Sequence, residues 1–93
     1  MPLESTIVST SMKSAEGRGW IAVKMHGSAY APRGFPDVMY FRDGVTKFVE
    51  YKQPGKEPTP IQKVWHAKLR AKGFAVAVIT VAKDTEAFLE GVA

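Results

Sequence analysis

The dipeptide Asp43-Gly44, set between two runs rich in β-branched and aromatic residues, constrains this chain more than any other feature. Asp-Gly suits the two central positions of a type I′ turn, which both need positive φ, and it closes two-residue hairpins. The flanking runs over 38–41 and 45–51 then form antiparallel strands. With Asp43 and Gly44 as the turn, Arg42 pairs with Val45, Tyr40 with Lys47, Val38 with Val49 and Asp37 with Glu50. Directly opposed residues point to the same side of a sheet, with Cβ atoms ~4.5–5.5 Å apart. Strand alternation places Lys52 on the side of Glu50, one step along. The hairpin therefore predicts two carboxylates and an ammonium on one face. A one-residue change in turn length would scatter them.

Like charges directly opposed destabilise a sheet, so this pair needs an offset. Two readings of the residues stand. A divalent cation is one, because carboxylates are hard oxygen ligands suited to Mg²⁺ or Mn²⁺. Neutralisation by Lys52 and another basic side chain is the other, and for an isolated carboxylate pair it is the commoner outcome.

The remaining elements follow from periodicity and punctuation. Leu3, Ile7, Val8 and Met12 recur at roughly helical spacing, which predicts a helix over 3–15 that ends near Gly17. Residues 20–25 form a strand candidate, and 26–35, with Gly, Ser and Pro, a loop. Pro54, Gly55, Pro58 and Pro60 make 53–60 a loop as well. Thr59, Pro60 and Gln62 give a capping-box start to a helix over 60–72. Ile61, Val64, Trp65 and Leu69 form its apolar face; Lys68 falls inside that face, which the pattern does not explain. Residues 74–81 are almost wholly apolar, as expected of a strand buried on both faces, and 83–91 form a last short helix. The order α-β-β-β-α-β-α predicts an α/β fold, one mixed sheet with helices packed on it.

With 93 residues the chain has length for one domain, spanning 1–93. A domain this small leaves a thin margin of stability, which a partner subunit would widen. The absence of cysteine excludes disulfides, thiolate zinc sites and cysteine nucleophiles. His26 and His66 are too few for a histidine-based zinc site without carboxylate help. No basic-then-apolar start and no apolar run near ~18 residues occurs, so a soluble, cytoplasmic protein is expected. Thirteen basic residues against nine acidic give +4. Between Glu57 and Asp84 the charged residues are all basic: Lys63, Lys68, Arg70, Lys72 and Lys83. Such a stretch suits a polyanion, although a solvated helix face is the more usual explanation.

Gly34-Phe35-Pro36-Asp37, then Phe48-Val49-Glu50-Tyr51-Lys52, then Thr59-Pro60-Ile61-Gln62 opening a helix, then Leu69 and Gly73 before an apolar strand, resembles the VRR-NUC family of the PD-(D/E)XK nuclease superfamily. The resemblance runs from Trp20 onward. The ordered set at these spacings carries the resemblance. It implies a PD-(D/E)XK nuclease core and a metal-dependent DNA endonuclease. It implies that Asp37 and Glu50 bind Mg²⁺ or Mn²⁺ with the backbone carbonyl of Tyr51. Lys52 matches the lysine that positions or deprotonates the attacking water, and Gln62 the helix glutamine near the active site. An acidic residue on the first helix completes such metal sites. Glu4 is the candidate and Glu16 the alternative, and Glu4 also reads as a favourable charge at a helix start.

Minimal, stand-alone members that look like this chain are associated with Holliday-junction resolution as homodimers. The resemblance thus implies branched DNA as partner, a second copy of the chain and a phage-encoded origin. Lys24, Arg33, Lys63 and His66 are the candidate DNA contacts; for Lys24 and Arg33 an ordinary surface charge is an equal reading, and His66 reads as a surface residue or a phosphate contact. Tyr30 suits either stacking on an unpaired base or packing, and Trp65 suits the core. Two rival functions are a non-catalytic nucleic-acid-binding module and a nuclease subunit of a restriction or repair complex.

Overall fold

The computed structural model describes residues 3–25 and 29–91; His26 lies outside them. Seven elements follow one another: α1 (Glu4–Glu16), β1 (Ile21–Lys24), β2 (Val38–Arg42), β3 (Val45–Tyr51), α2 (Pro60–Ala71), β4 (Ala75–Ile79) and α3 (Asp84–Leu89). This is the predicted α-β-β-β-α-β-α order. The strands form one mixed sheet in the order β1-β2-β3-β4. The first three strands run as an antiparallel meander, and β4 joins β3 in parallel after the α2 crossover.

The hairpin has the register that its turn demands. Asp43 (φ 50°) and Gly44 (φ 77°) hold the two positive-φ positions. The β2–β3 ladder runs from Arg42 opposite Val45 to Val38 opposite Val49. The next step along it brings Asp37 opposite Glu50.

Alternation then divides the side chains between two layers. Val38, Tyr40, Val49, Tyr51 and Ile79 join Ile7, Val8, Ala15 and Leu89 in the core between the sheet and α1 and α3. A chain of buried hydroxyls crosses this layer: Tyr40 Oη to Tyr51 Oη at 2.7 Å, Tyr51 Oη to Thr85 Oγ1 at 2.9 Å, and Thr85 Oγ1 donating to Ser11 Oγ at 3.0 Å. Burial pushes both tyrosine hydroxyls above the ordinary range, so they remain neutral donors and acceptors. At the rim, Arg42 meets Glu90 through two hydrogen bonds (3.0 and 2.7 Å) and lies over the Trp20 ring.

The other face carries α2 alone. Phe35, Phe48, Trp65 and Phe74 meet edge to face there, with centroids 5.4–5.7 Å apart. Lys68 extends over the Trp65 ring at 4.8 Å, which explains its position on the apolar side of the helix.

The last strand departs from expectation. It is not buried on both faces: β4 is a sheet edge, shorter than 74–81, with Val78 38% exposed. A continuous apolar run is compatible with either position, and strand order decides which one it takes. Among the described residues no helix is long and apolar enough to cross a membrane.

Candidate active site

The site lies at one end of β2 and β3, where Asp37 and Glu50 come together. Both are almost fully buried, at 3% and 1% exposure. The segment Gly34-Phe35-Pro36 sets Asp37 in place. Phe35 plugs between Phe48 and Trp65. Gly34 adopts φ +87°, and a Cβ there would stand 3.0 Å from the Ile61 side chain and 3.1 Å from its backbone carbon, so only glycine lets the loop pass this close to the start of α2. The Asp37 carbonyl accepts Met25 N–H, and its Oδ2 accepts the backbone N–H of Tyr51 at 2.8 Å.

Glu50 is reached from α2. Gln62 Nε2 donates to Glu50 Oε2 at 3.2 Å, while Gln62 Oε1 accepts Thr59 N–H at 2.8 Å and Thr59 Oγ1 accepts Gln62 N–H at 3.3 Å. The capping box thus fixes the rotamer of the residue that touches the carboxyl. Glu50 Oε1 has no hydrogen-bond partner. It faces His66 Nε2 at 3.6 Å, an atom that is equally buried and equally unpartnered.

The electrostatics follow from this burial. Desolvation, then the charge of Asp37 and a hydrogen bond with it, push the Glu50 carboxyl up to about 9, against a smaller opposing pull from Lys52. Burial and the nearby Arg70 lower His66, which is therefore a neutral imidazole at neutral pH. The Glu50–His66 contact joins two neutral groups and is not an ion pair. A carboxyl held off ionisation by burial and by a second carboxyl suits the place of a cation, and Oε1 is an oxygen donor without a partner. The hard-oxygen set of Asp37, Glu50 and nearby carbonyls fits Mg²⁺ or Mn²⁺. Among the described residues no three His, Asp, Glu or Cys side chains stand at closed metal-ligand spacing.

The other candidates divide by location. Glu4 lines a small cavity of about 110 Å³ with Ser5, Val8, Lys24 and Asp37, so α1 brings Glu4, and β1 brings Lys24, to this end of the sheet. Glu16 lies twelve residues further along α1, roughly 18 Å away at 1.5 Å per residue, and its charge acts on Tyr40 instead. Arg33 lines an open cleft of about 550 Å³ with Gly34, Thr59, Pro60, Ile61 and Gln62. Lys52 is half-buried, and Lys63 and Tyr30 are exposed. His66 corrects an expectation: it is 3% exposed and turned onto Glu50, not a surface residue. The i, i+4 spacing of Gln62 and His66 was the available signal, because it sets both on one helix face. Of the basic stretch, Arg70 donates to the Val76 carbonyl at 2.9 Å and Lys68 covers Trp65.

A mixed sheet flanked by helices, with paired carboxylates and a lysine at the end of its central strands, has the layout of a PD-(D/E)XK nuclease. Comparison with known proteins gives the same class. The model of the VRR-NUC domain family matches residues 11–83. A protein named "Putative nuclease p44", from Acyrthosiphon pisum secondary endosymbiont phage 1, is 42% identical over 62 residues, which cover 60% of this chain and 67% of that protein. A solved structure described as "VRR_NUC domain" matches with a TM-score of 0.82 at 26% identity, covering 97% of each chain. The chain belongs to the VRR-NUC domain family and is a nuclease by that membership.

Proposed function

We propose that this chain is a Mg²⁺- or Mn²⁺-dependent endodeoxyribonuclease that hydrolyses phosphodiester bonds in branched DNA and works as a homodimer. The observation that carries the catalytic part is the Asp37–Glu50 pair, two carboxyls buried together at the end of adjacent strands, an arrangement that a divalent cation would stabilise. Asp37, Glu50 and the Tyr51 carbonyl would hold the cation, with Glu4 completing the set from α1. The cation supplies charge neutralisation for the scissile phosphate and acidification of the attacking water.

The chain's own residues do the rest. Tyr51 N–H and Gln62 Nε2 each hold one carboxylate oxygen, so neither carboxylate has to be reorganised during the reaction. Lys52, on the same face as Glu50, orients the water and offsets the negative charge that builds on the phosphate. Water oxygen bonds to phosphorus, one P–O ester bond breaks, and the proton lost by the water is made good on the leaving oxygen. Arg33 and Lys24 flank the site on either side, and Lys63 lies further along α2. All three suit contacts to backbone phosphates, which position DNA without reading its sequence.

Family resemblance supports the preference for Holliday junctions and the homodimer. Two copies related by a twofold axis would cut two strands symmetrically. The direct test of the cation is calorimetric titration of Mn²⁺ into wild type and Asp37→Ala. Binding in the wild type that is lost in the variant supports the assignment. Equal binding in both would reject it.

A further inference from the structure

Among the described residues two buried side-chain polar atoms lack a hydrogen-bond partner, and they face each other. Glu50 Oε1 and His66 Nε2 are 3.6 Å apart, on residues only 1% and 3% exposed. That distance is too long for a hydrogen bond, yet each atom is what the other needs: a carboxyl oxygen accepts, and a neutral imidazole carries one N–H donor. Burial without a partner is costly for both atoms. A shift of a few tenths of an ångström in the Glu50 side chain closes the gap.

The helix makes the pairing systematic. Gln62 and His66 are four residues apart on α2 and so share a face. Gln62 already donates to Glu50 Oε2. His66 stands at the remaining oxygen, Oε1. The capping box at Thr59 locks the start of the helix, and Arg70, one turn beyond His66, ties it to β4 through the Val76 carbonyl. One rigid helix face therefore addresses both oxygens of one carboxylate.

We propose that His66 is a positioning residue of the nuclease site: its Nε2–H donates to Glu50 Oε1 and, together with Gln62, fixes the orientation in which Glu50 meets the cation. This rests on the metal-dependent reading above. Groups that orient a metal's ligands typically contribute ~10–100-fold to affinity or activity, so His66→Leu is expected to lower kcat and Mn²⁺ affinity within that range while leaving the KM for DNA near wild type. His66→Gln, which returns an N–H donor at a similar reach, is expected to recover most of both. A purely structural role would give no such recovery.

The test combines three measurements on the full chain. Calorimetric titration of Mn²⁺ and steady-state cleavage are carried out on wild type, His66→Leu and His66→Gln, with thermal melts to show that each is folded. The imidazole nitrogens of His66 are read by ¹⁵N NMR in Mg²⁺ buffer. The Nε2–H tautomer with rescue by Gln supports the proposal. The Nδ1–H tautomer would overturn it, because Nε2 would then be an acceptor and could not donate to Glu50. Wild-type kcat and Mn²⁺ affinity in His66→Leu would overturn it while leaving the nuclease reading intact. A wild type that neither binds Mn²⁺ nor cuts DNA would remove the nuclease reading, and the positioning role with it.

Discussion

Gln62 touches Glu50 and caps α2 with the same side chain: its Nε2 lies 3.2 Å from Glu50 Oε2 and its Oε1 lies 2.8 Å from the backbone nitrogen of Thr59. Helix initiation and the geometry of the site are thereby one interaction, and substitutions at 62 can separate its two halves. Gln62→Ala loses both and is expected to cost about 1 kcal/mol of stability through the cap and roughly 10–100-fold in cleavage. Gln62→Glu keeps an acceptor for Thr59 N–H but presents a third carboxyl to the site, so helix content by circular dichroism holds while cleavage falls as far. Cleavage at the wild-type rate in Gln62→Ala would break the connection.

The state of Glu50 makes stability depend on pH. Its folded value is raised to about 9 from 4.5, so the folded protein binds this proton more tightly than the unfolded chain does. The associated stability is complete below pH 4.5 and is lost as pH rises towards about 9. In EDTA, the melting temperature of wild type is expected to fall across this window relative to Glu50→Gln, which keeps the shape and removes the titration. Adding Mg²⁺ should restore much of the loss at high pH, because a bound cation favours the ionised pair. Parallel pH profiles for wild type and Glu50→Gln would contradict the assignment.

The hydroxyl chain behind the site gives an ordered pair of stabilities. Tyr51 Oη bonds to both Tyr40 Oη and Thr85 Oγ1, whereas Tyr40 Oη stands at the end of the chain. Tyr51→Phe leaves a buried hydroxyl on Tyr40 without this partner and is expected to cost about 1–3 kcal/mol. Tyr40→Phe leaves Tyr51 its bond to Thr85 and should cost less. Urea unfolding of the two variants measures the difference, and the reverse order would mean that the chain does not act as drawn. Tyr51→Phe keeps the backbone N–H that Asp37 accepts, so both variants are expected to cleave at close to the wild-type rate while they remain folded.

Much of this architecture was legible in the sequence because local chemistry dictated it. Asp43-Gly44 allows few turns, and the turn sets the register that brings Asp37 to Glu50. Thr59-Pro60 with Gln62 marks the start of α2 to the residue. What depends on the whole chain was not legible. The apolar run of β4 suits an edge or a centre, and only the crossover through α2 decides that it is an edge. His66 sits next to Trp65 in sequence, and its burial is set by where Glu50 of another element ends up. Glu4 was one of two acidic candidates on α1 because no motif surrounds either one; packing of that helix brings the Glu4 end to Asp37 and leaves Glu16 at the far end.

The central claim is that Asp37, Glu50 and Lys52 form one metal-dependent centre that acts on branched DNA. The most direct measurement is cleavage of labelled four-way-junction and linear duplex DNA, with Mg²⁺ or Mn²⁺, by wild type and Lys52→Ala. Paired symmetric nicks in the junction, sparing of the duplex, dependence on the metal, and loss of activity with retained binding in Lys52→Ala are expected. Binding of both DNAs by wild type without cleavage under either metal, or undiminished cleavage by Lys52→Ala, would contradict it.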